Sequence, residues 1–207
     1  MYFSRIPYPF KWLFPKSAVW NFAFNKPDIY LTFDDGPNPS TTPFILDLLK
    51  KKDVKATFFC IGQNIENHPA LYQRILDEGH ATGNHTYSHL SGWKTSFENY
   101  ISDFRKCETL CKSKLFRPPY GRMTKAQATE ISKTHQIIMW SVLTGDFDVK
   151  RTPEKCLAVA KAQTKNGSVI IFHDSEKAKP RMEYALPRFI DFALEKGFCF
   201  EKIKMVK

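Results

Sequence analysis

The stretch Ile29-Tyr30-Leu31-Thr32-Phe33-Asp34-Asp35-Gly36-Pro37 is an apolar run that stops abruptly on two carboxylates, a glycine and a proline. It reads as a buried strand that delivers acidic side chains to its end. Successive strand residues point to opposite faces, so Asp34 and Asp35 can serve one site only if the backbone bends there. Gly36 and Pro37 make such a bend easy. Taken alone, Asp-Asp-Gly-Pro is equally well an Asx turn; the rest of the chain decides.

Outward from this stretch, short β-branched or aromatic runs alternate with longer helical patterns. The strand candidates are Ile29–Phe33, Ala56–Ile61, His80–Asn84, Leu115–Arg117, Ile137–Val142, Ser168–Phe172 and Cys199–Ile203. Helices are predicted near Pro43–Lys52, Pro69–Glu78, Ser96–Cys111, Thr124–Thr134, Pro153–Thr164 and Tyr184–Lys196, several opening on a proline. This alternation predicts an α/β fold with a parallel sheet. Periodicity does not say whether the sheet is open or rolled. In either form chemistry collects beyond the carboxyl ends of the strands. Asp34 and Asp35, His85, Arg117, Asp146 and His173 all follow or close strand candidates, which would bring them to one rim.

With 207 residues, 43% of them hydrophobic, the chain can bury one sizeable core, and a single domain is expected. The first 28 residues form an aromatic-rich segment expected to pack on that domain, which occupies residues 29–207. Lys11, Pro15 and Lys16 break its apolar runs before they reach signal-peptide length, and no run is long enough to span a membrane. The expected setting is cytoplasmic or peripherally membrane-associated. The net charge of +10 is dispersed, and no nucleic-acid motif accompanies it. Five cysteines, odd in number and without a CxxC pair, indicate neither a disulfide framework nor a thiolate zinc site.

His85-Thr86-Tyr87-Ser88-His89 spaces two imidazoles as one helical turn would, a spacing suited to chelation. With a carboxylate from the Asp34-Asp35 corner they make a two-His, one-carboxylate set for zinc or another divalent ion. Arg117-Pro118-Pro119-Tyr120-Gly121 is a proline-stiffened loop fit to fix a charged fork and a backbone N–H. Val169-Ile170-Ile171-Phe172-His173-Asp174 releases a histidine at the end of an apolar strand, a natural general acid or base, and Asp174 reads as a loop cap.

Taken in order and spacing, Thr32-Phe33-Asp34-Asp35-Gly36, His85-Thr86-Tyr87-Ser88-His89, Arg117-Pro118-Pro119-Tyr120, the Trp140 to Phe147 segment and Ile171-Phe172-His173 resemble the polysaccharide deacetylases, the NodB-homology carbohydrate esterases. The resemblance covers about Ile29 to Ile203. It implies a distorted, incomplete (β/α) barrel of about seven parallel strands and hydrolysis of N-acetyl groups on N-acetylglucosamine-containing glycans such as peptidoglycan or chitin. By similarity Asp34 would be the base, with Arg117 positioning it. Asp35, His85 and His89 would hold a divalent metal, zinc first, with cobalt, manganese or nickel as alternatives. The Tyr120 backbone N–H would stabilise the oxyanion, and His173, tuned by Asp146, would be the acid. Tyr120, Phe147 and Phe172 would line the sugar site. Two departures bear on the substrate: Leu143 stands where the family commonly has an acid, and Phe147 where it has tryptophan. The expected partner is an N-acetylated glycan, with no nucleic acid and a monomeric enzyme. The rival readings are a same-family amide hydrolase on a small molecule, a non-catalytic glycan binder, and an Fe(II) oxygenase built on the same triad.

Overall fold

The computed structural model describes residues 15, 16 and 18–205; residues 1–14, the first half of the aromatic-rich segment, lie outside the described residues. Eight strands and seven α-helices are present among the described residues. The strands are β1 (Asp28–Asp34), β2 (Thr57–Cys60), β3 (Ala81–Asn84), β4 (Leu115–Phe116), β5 (Gln136–Ile137), β6 (Val142–Leu143), β7 (Val169–His173) and β8 (Cys199–Phe200). The helices are α1 (Thr42–Lys51), α2 (Gly62–Asn67), α3 (Pro69–Asp77), α4 (Phe97–Leu110), α5 (Lys125–Ser132), α6 (Pro153–Gln163) and α7 (Lys179–Glu195). No helix among the described residues is long and apolar enough to cross a membrane.

The sheet runs β5-β4-β3-β2-β1-β7-β6, with every pair parallel and β8 added beside the start of β1. That is the cyclic order of a (β/α) barrel, open between β5 and β6. The expected strand Ile137–Val142 is therefore two strands at opposite edges of the sheet. Only residues 138–141 connect them, so by chain reach the edges lie within about 17 Å of each other and the sheet must curl. The count of seven barrel strands stands with a changed membership, since this run supplies two of them and Cys199–Phe200 lies off the main path. Val19 fills part of the gap: it pairs with Ile138, its N–H donating to the Ile137 carbonyl (2.8 Å) and its carbonyl accepting from Met139 N (2.7 Å).

The central strand β1 is flanked by β2 and β7 and is apolar almost throughout, as parallel strands covered on both faces are. Its alternate residues serve two cores. Ile29, Leu31 and Phe33 pack with Phe58, Ile170, Phe172 and the apolar faces of α1 and α7. Val169 and Ile171 of β7 point the other way, toward Phe116, Ile138, Met139 and Leu143. Thr32 and Asp34 alternate with Phe33 and so face this second side, where polar groups enter. α2 had no sequence signal beyond a short polar run, and α7 begins ahead of its predicted start at Tyr184, with Pro180 in its first turn.

Candidate active site

Asp34 ends β1 and lies beside His173, the last residue of β7, in the register of the paired strands. Both residues belong to the inward set, and each is fixed by a buried group of opposite charge. Arg117, fully buried just after β4, donates from Nη1 to Asp34 Oδ1 at 2.6 Å. Three further donors reach Thr32 Oγ1 (2.9 Å) and the carbonyls of Ile138 (3.1 Å) and Met139 (3.0 Å), and its guanidinium lies 4.0 Å from the Phe59 ring centroid. A buried guanidinium persists only when its charge and donors are matched in this way. The segment that crosses the gap in the barrel therefore also locks the arginine that orients Asp34.

His173 is held by both oxygens of the buried Asp146: Nδ1 meets Oδ1 at 2.8 Å, and the backbone N–H donates to Oδ2 at 2.7 Å. Burial alone would lower the His173 pKa, but the Asp146 carboxylate, joined by those of Asp35 and Asp34, outweighs it and raises the pKa to about 9. With Nδ1 committed to Asp146, the titrating proton at Nε2 is the one free to leave. The Phe147 ring meets His173 edge-on at 4.9 Å.

The bend after β1 falls on Asp35 itself, which adopts φ +82°, rather than on Gly36 as the sequence suggests. Asparagine and aspartate tolerate that region better than other side chains do, at a cost of about 1–3 kcal/mol. Asn64 of α2 holds the strained residue by donating to the Asp35 carbonyl (2.7 Å). Gly36 is required for space: a Cβ there would sit 2.0 Å from Asp174 Oδ2. Asp174 is no simple loop cap. It is buried, accepts from Thr41 and Thr42 Oγ1 (2.6 Å each), and is pushed by burial up to about 7 against those hydrogen bonds.

The two histidines converge through a loop, not the helical turn their spacing suggests. Thr86 and His89 take φ of +62° and +56°, while Asp103 of α4 accepts the N–H groups of Tyr87 (2.9 Å) and Ser88 (3.0 Å) with a single oxygen. His85 is buried, and its Nδ1 lies 2.7 Å from the Arg117 carbonyl. A carbonyl can only accept, so the proton is on Nδ1 and the Nε2 lone pair is free. Burial lowers the His85 pKa to about 4, which keeps that lone pair available at neutral pH.

Asp35 Oδ1 lies 3.8 Å from His85 Nε2 and 3.3 Å from His89 Nε2, and one ligand atom from each residue falls within 4.8 Å of the others. Tetrahedral ligands at zinc bond lengths would be about 3.3 Å apart, so this donor set fits a small divalent cation. Burial pushes the Asp35 carboxyl up, but the His89 hydrogen bond and the neighbouring imidazoles hold it below the usual carboxylate range. An oriented carboxylate, a cationic imidazole and a three-ligand cation site on one rim can carry out acid–base hydrolysis.

Tyr120 is 61% exposed, with φ +59°, and its ring lies 4.6 Å from that of His89. The N–H groups after it, of Gly121 and Arg122, turn back to Pro118 and Pro119 (both 3.0 Å). Phe172 does not line the site. Its ring is fully buried between Phe33 and Phe189, because it alternates with His173 and so faces the opposite side of the sheet. Leu143 is buried in β6. Sequence reasoning missed Asp103, Asn64 and Thr32. Thr32 alone left a trace, as a polar residue inside an otherwise apolar run; nothing distinguishes Asp103 or Asn64 from solvated helix residues.

Residues 23–138 match the polysaccharide deacetylase family. The chain is 32% identical over 190 residues to a peptidoglycan-N-acetylglucosamine deacetylase of Bacillus cereus, covering 88% of this chain and 89% of that one. A second protein of that name from Bacillus cereus is 41% identical over 148 residues, 67% of this chain, and the match spans about half (53%) of that relative's length. The crystal structure of the Bc1960 peptidoglycan N-acetylglucosamine deacetylase superposes with a TM-score of 0.84 at 34% identity, covering 94% of each chain.

Proposed function

Because this chain belongs to the polysaccharide deacetylase family, we propose that it is a metal-dependent hydrolase that removes N-acetyl groups from N-acetylglucosamine units of a peptidoglycan- or chitin-like glycan and releases acetate. One observation carries the reading: Asp34 and His173 sit side by side on paired strands, each held by its own buried counter-charge, next to the Asp35, His85 and His89 cluster.

In this reading Asp35, His85 and His89 hold the divalent ion; two imidazoles and a carboxylate suit zinc, with cobalt, manganese or nickel as substitutes. When bound, such an ion supplies a Lewis acid and makes water more acidic. Asp34, with one oxygen tied to Arg117, takes the proton from the attacking water as the new C–O bond forms. The Tyr120 N–H donates to the developing oxyanion. His173 gives its Nε2 proton to the glucosamine nitrogen as the C–N bond breaks, since an amide nitrogen leaves poorly unless it is protonated. Phe147, edge-on to His173, borders the departing sugar. Every group comes from one chain, so a monomer suffices. A basic chain of +10 suits an anionic surface, which fits peripheral association with a membrane or wall.

The test is acetate release from N-acetylated chitooligosaccharides and from peptidoglycan. Release from at least one should stop with chelator and return with added zinc. A chain that frees no acetate from either, whatever the metal, is not this enzyme.

The acid role also has a pH signature. His173 is cationic below its raised pKa and loses its proton as pH rises through it, so activity should fall along an alkaline limb that lies above the ordinary imidazole value. Asp146→Asn removes the foremost of the charges that oppose burial, and that limb should move to lower pH. The two profiles are compared at equal metal loading. An unmoved limb would remove His173 from the acid role.

A further inference from the structure

A few residues after the histidine loop stands an aromatic ring that the chemistry does not use. Trp93 lies in the short turn Gly92–Lys94, after the histidine loop, and is 57% exposed. Exposed tryptophans are usually incidental, but this one is held. Its indole Nε1 donates to the Met123 carbonyl (3.1 Å), and the Arg122 guanidinium carbon lies 5.2 Å from its ring centroid, a cation–π distance.

The two loops that carry Trp93 and Tyr120 are joined. Gly92 N donates to the Arg122 carbonyl (3.0 Å). The fully buried Gln127 donates to the carbonyls of both Gly92 (3.1 Å) and Thr95 (3.3 Å), while its side-chain oxygen accepts from Thr124 N (2.8 Å). A Cβ on Gly92 would lie 2.4 Å from Gln127 Oε1 and 2.7 Å from the Met123 Cα, so the close approach depends on glycine. Trp93 follows His89 by four positions, at most about 14 Å of chain. A largely exposed ring, held at its indole N–H and near an arginine, thus shares one clamped unit with Tyr120, whose ring touches His89.

We propose that Trp93, supported by Arg122 and clamped by Gln127, is a sugar-stacking subsite for a pyranose further along the glycan than the one being deacetylated, making this chain selective for extended oligosaccharides. The inference rests on the glycan-hydrolase reading and deepens it. The apolar C–H face of a pyranose matches an exposed indole. Prior anchoring means little side-chain freedom is lost on binding.

The experiment compares acetylated chitohexaose with chitobiose. In turnover by the metal-loaded enzyme, Trp93→Ala should lower the hexamer-to-dimer ratio of kcat/KM about tenfold, and Trp93→Phe, which keeps a ring, should largely restore it. Calorimetric binding of both sugars, in an Asp34→Asn background so that neither is consumed, should show the same selective loss. An unchanged ratio in both turnover and binding overturns the subsite. A chain that frees no acetate but still loses hexamer binding with Trp93→Ala overturns the hydrolase reading and leaves the subsite standing; absence of hexamer binding in the intact chain overturns the subsite as well.

Discussion

Asp34→Asn is expected to lower acetate release by about a thousandfold while leaving the bound metal in place. The size follows from what a positioned proton acceptor contributes, typically a hundredfold to ten-thousandfold. Metal retention follows from the geometry. The ligand cluster uses Asp35, whose backbone turns at φ +82°, whereas Asp34 points along the inward face of β1 toward Arg117. Asparagine keeps an oxygen where Arg117 donates, so the buried guanidinium is not stranded, though its charge is no longer balanced. Some loss of stability is therefore expected, and a denaturation midpoint should be taken alongside. Acetate release is measured at saturating zinc, with metal content determined on the same sample by elemental analysis. Near-normal release would remove Asp34 from the base role. Loss of metal together with activity would place Asp34 among the ligands instead.

The parts of this site that could be read from sequence are those in which chemistry is written into local pattern. An apolar strand ending in Asp34-Asp35, a His-x-x-x-His spacing, an arginine before two prolines and a histidine closing an apolar run each announce a role within a few residues. What escaped was the means of assembly. The histidine spacing pointed to a helix, but Thr86 and His89 adopt left-handed backbone, and Asp103, far along the chain, holds the loop between them. The run Ile137–Val142 has the composition of one strand yet divides between two sheet edges, and two residues between those edges, Ile138 and Met139, offer their carbonyls to Arg117. Phe172 could have been placed correctly from the sequence: period-two alternation puts it opposite His173, and the expectation that it lined the sugar site set that rule aside.

His85→Ala should remove the metal and, with it, acetate release down to background. Of the three proposed ligands His85 is the most constrained: it is buried, neutral by desolvation, and its tautomer is set by the carbonyl of the very residue, Arg117, that orients Asp34. Outer partners of this kind typically change metal affinity ten- to a hundredfold when lost, and removal of the ligand itself should exceed that. The same carbonyl contact couples the two halves of the site, since Arg117 touches the base through its guanidinium and the metal cluster through its backbone. A truncation at position 85 also opens a cavity, so lost activity alone would not distinguish a missing ligand from a loosened core. Thermal melting with chelator present separates them. Without metal the variant should remain folded and melt cooperatively, and only the stabilisation that zinc confers on the intact protein should disappear. A variant that still binds one equivalent of zinc tightly and gains the same stabilisation from it would show that the cation is held elsewhere, and the proposed centre would have to be rebuilt around other residues.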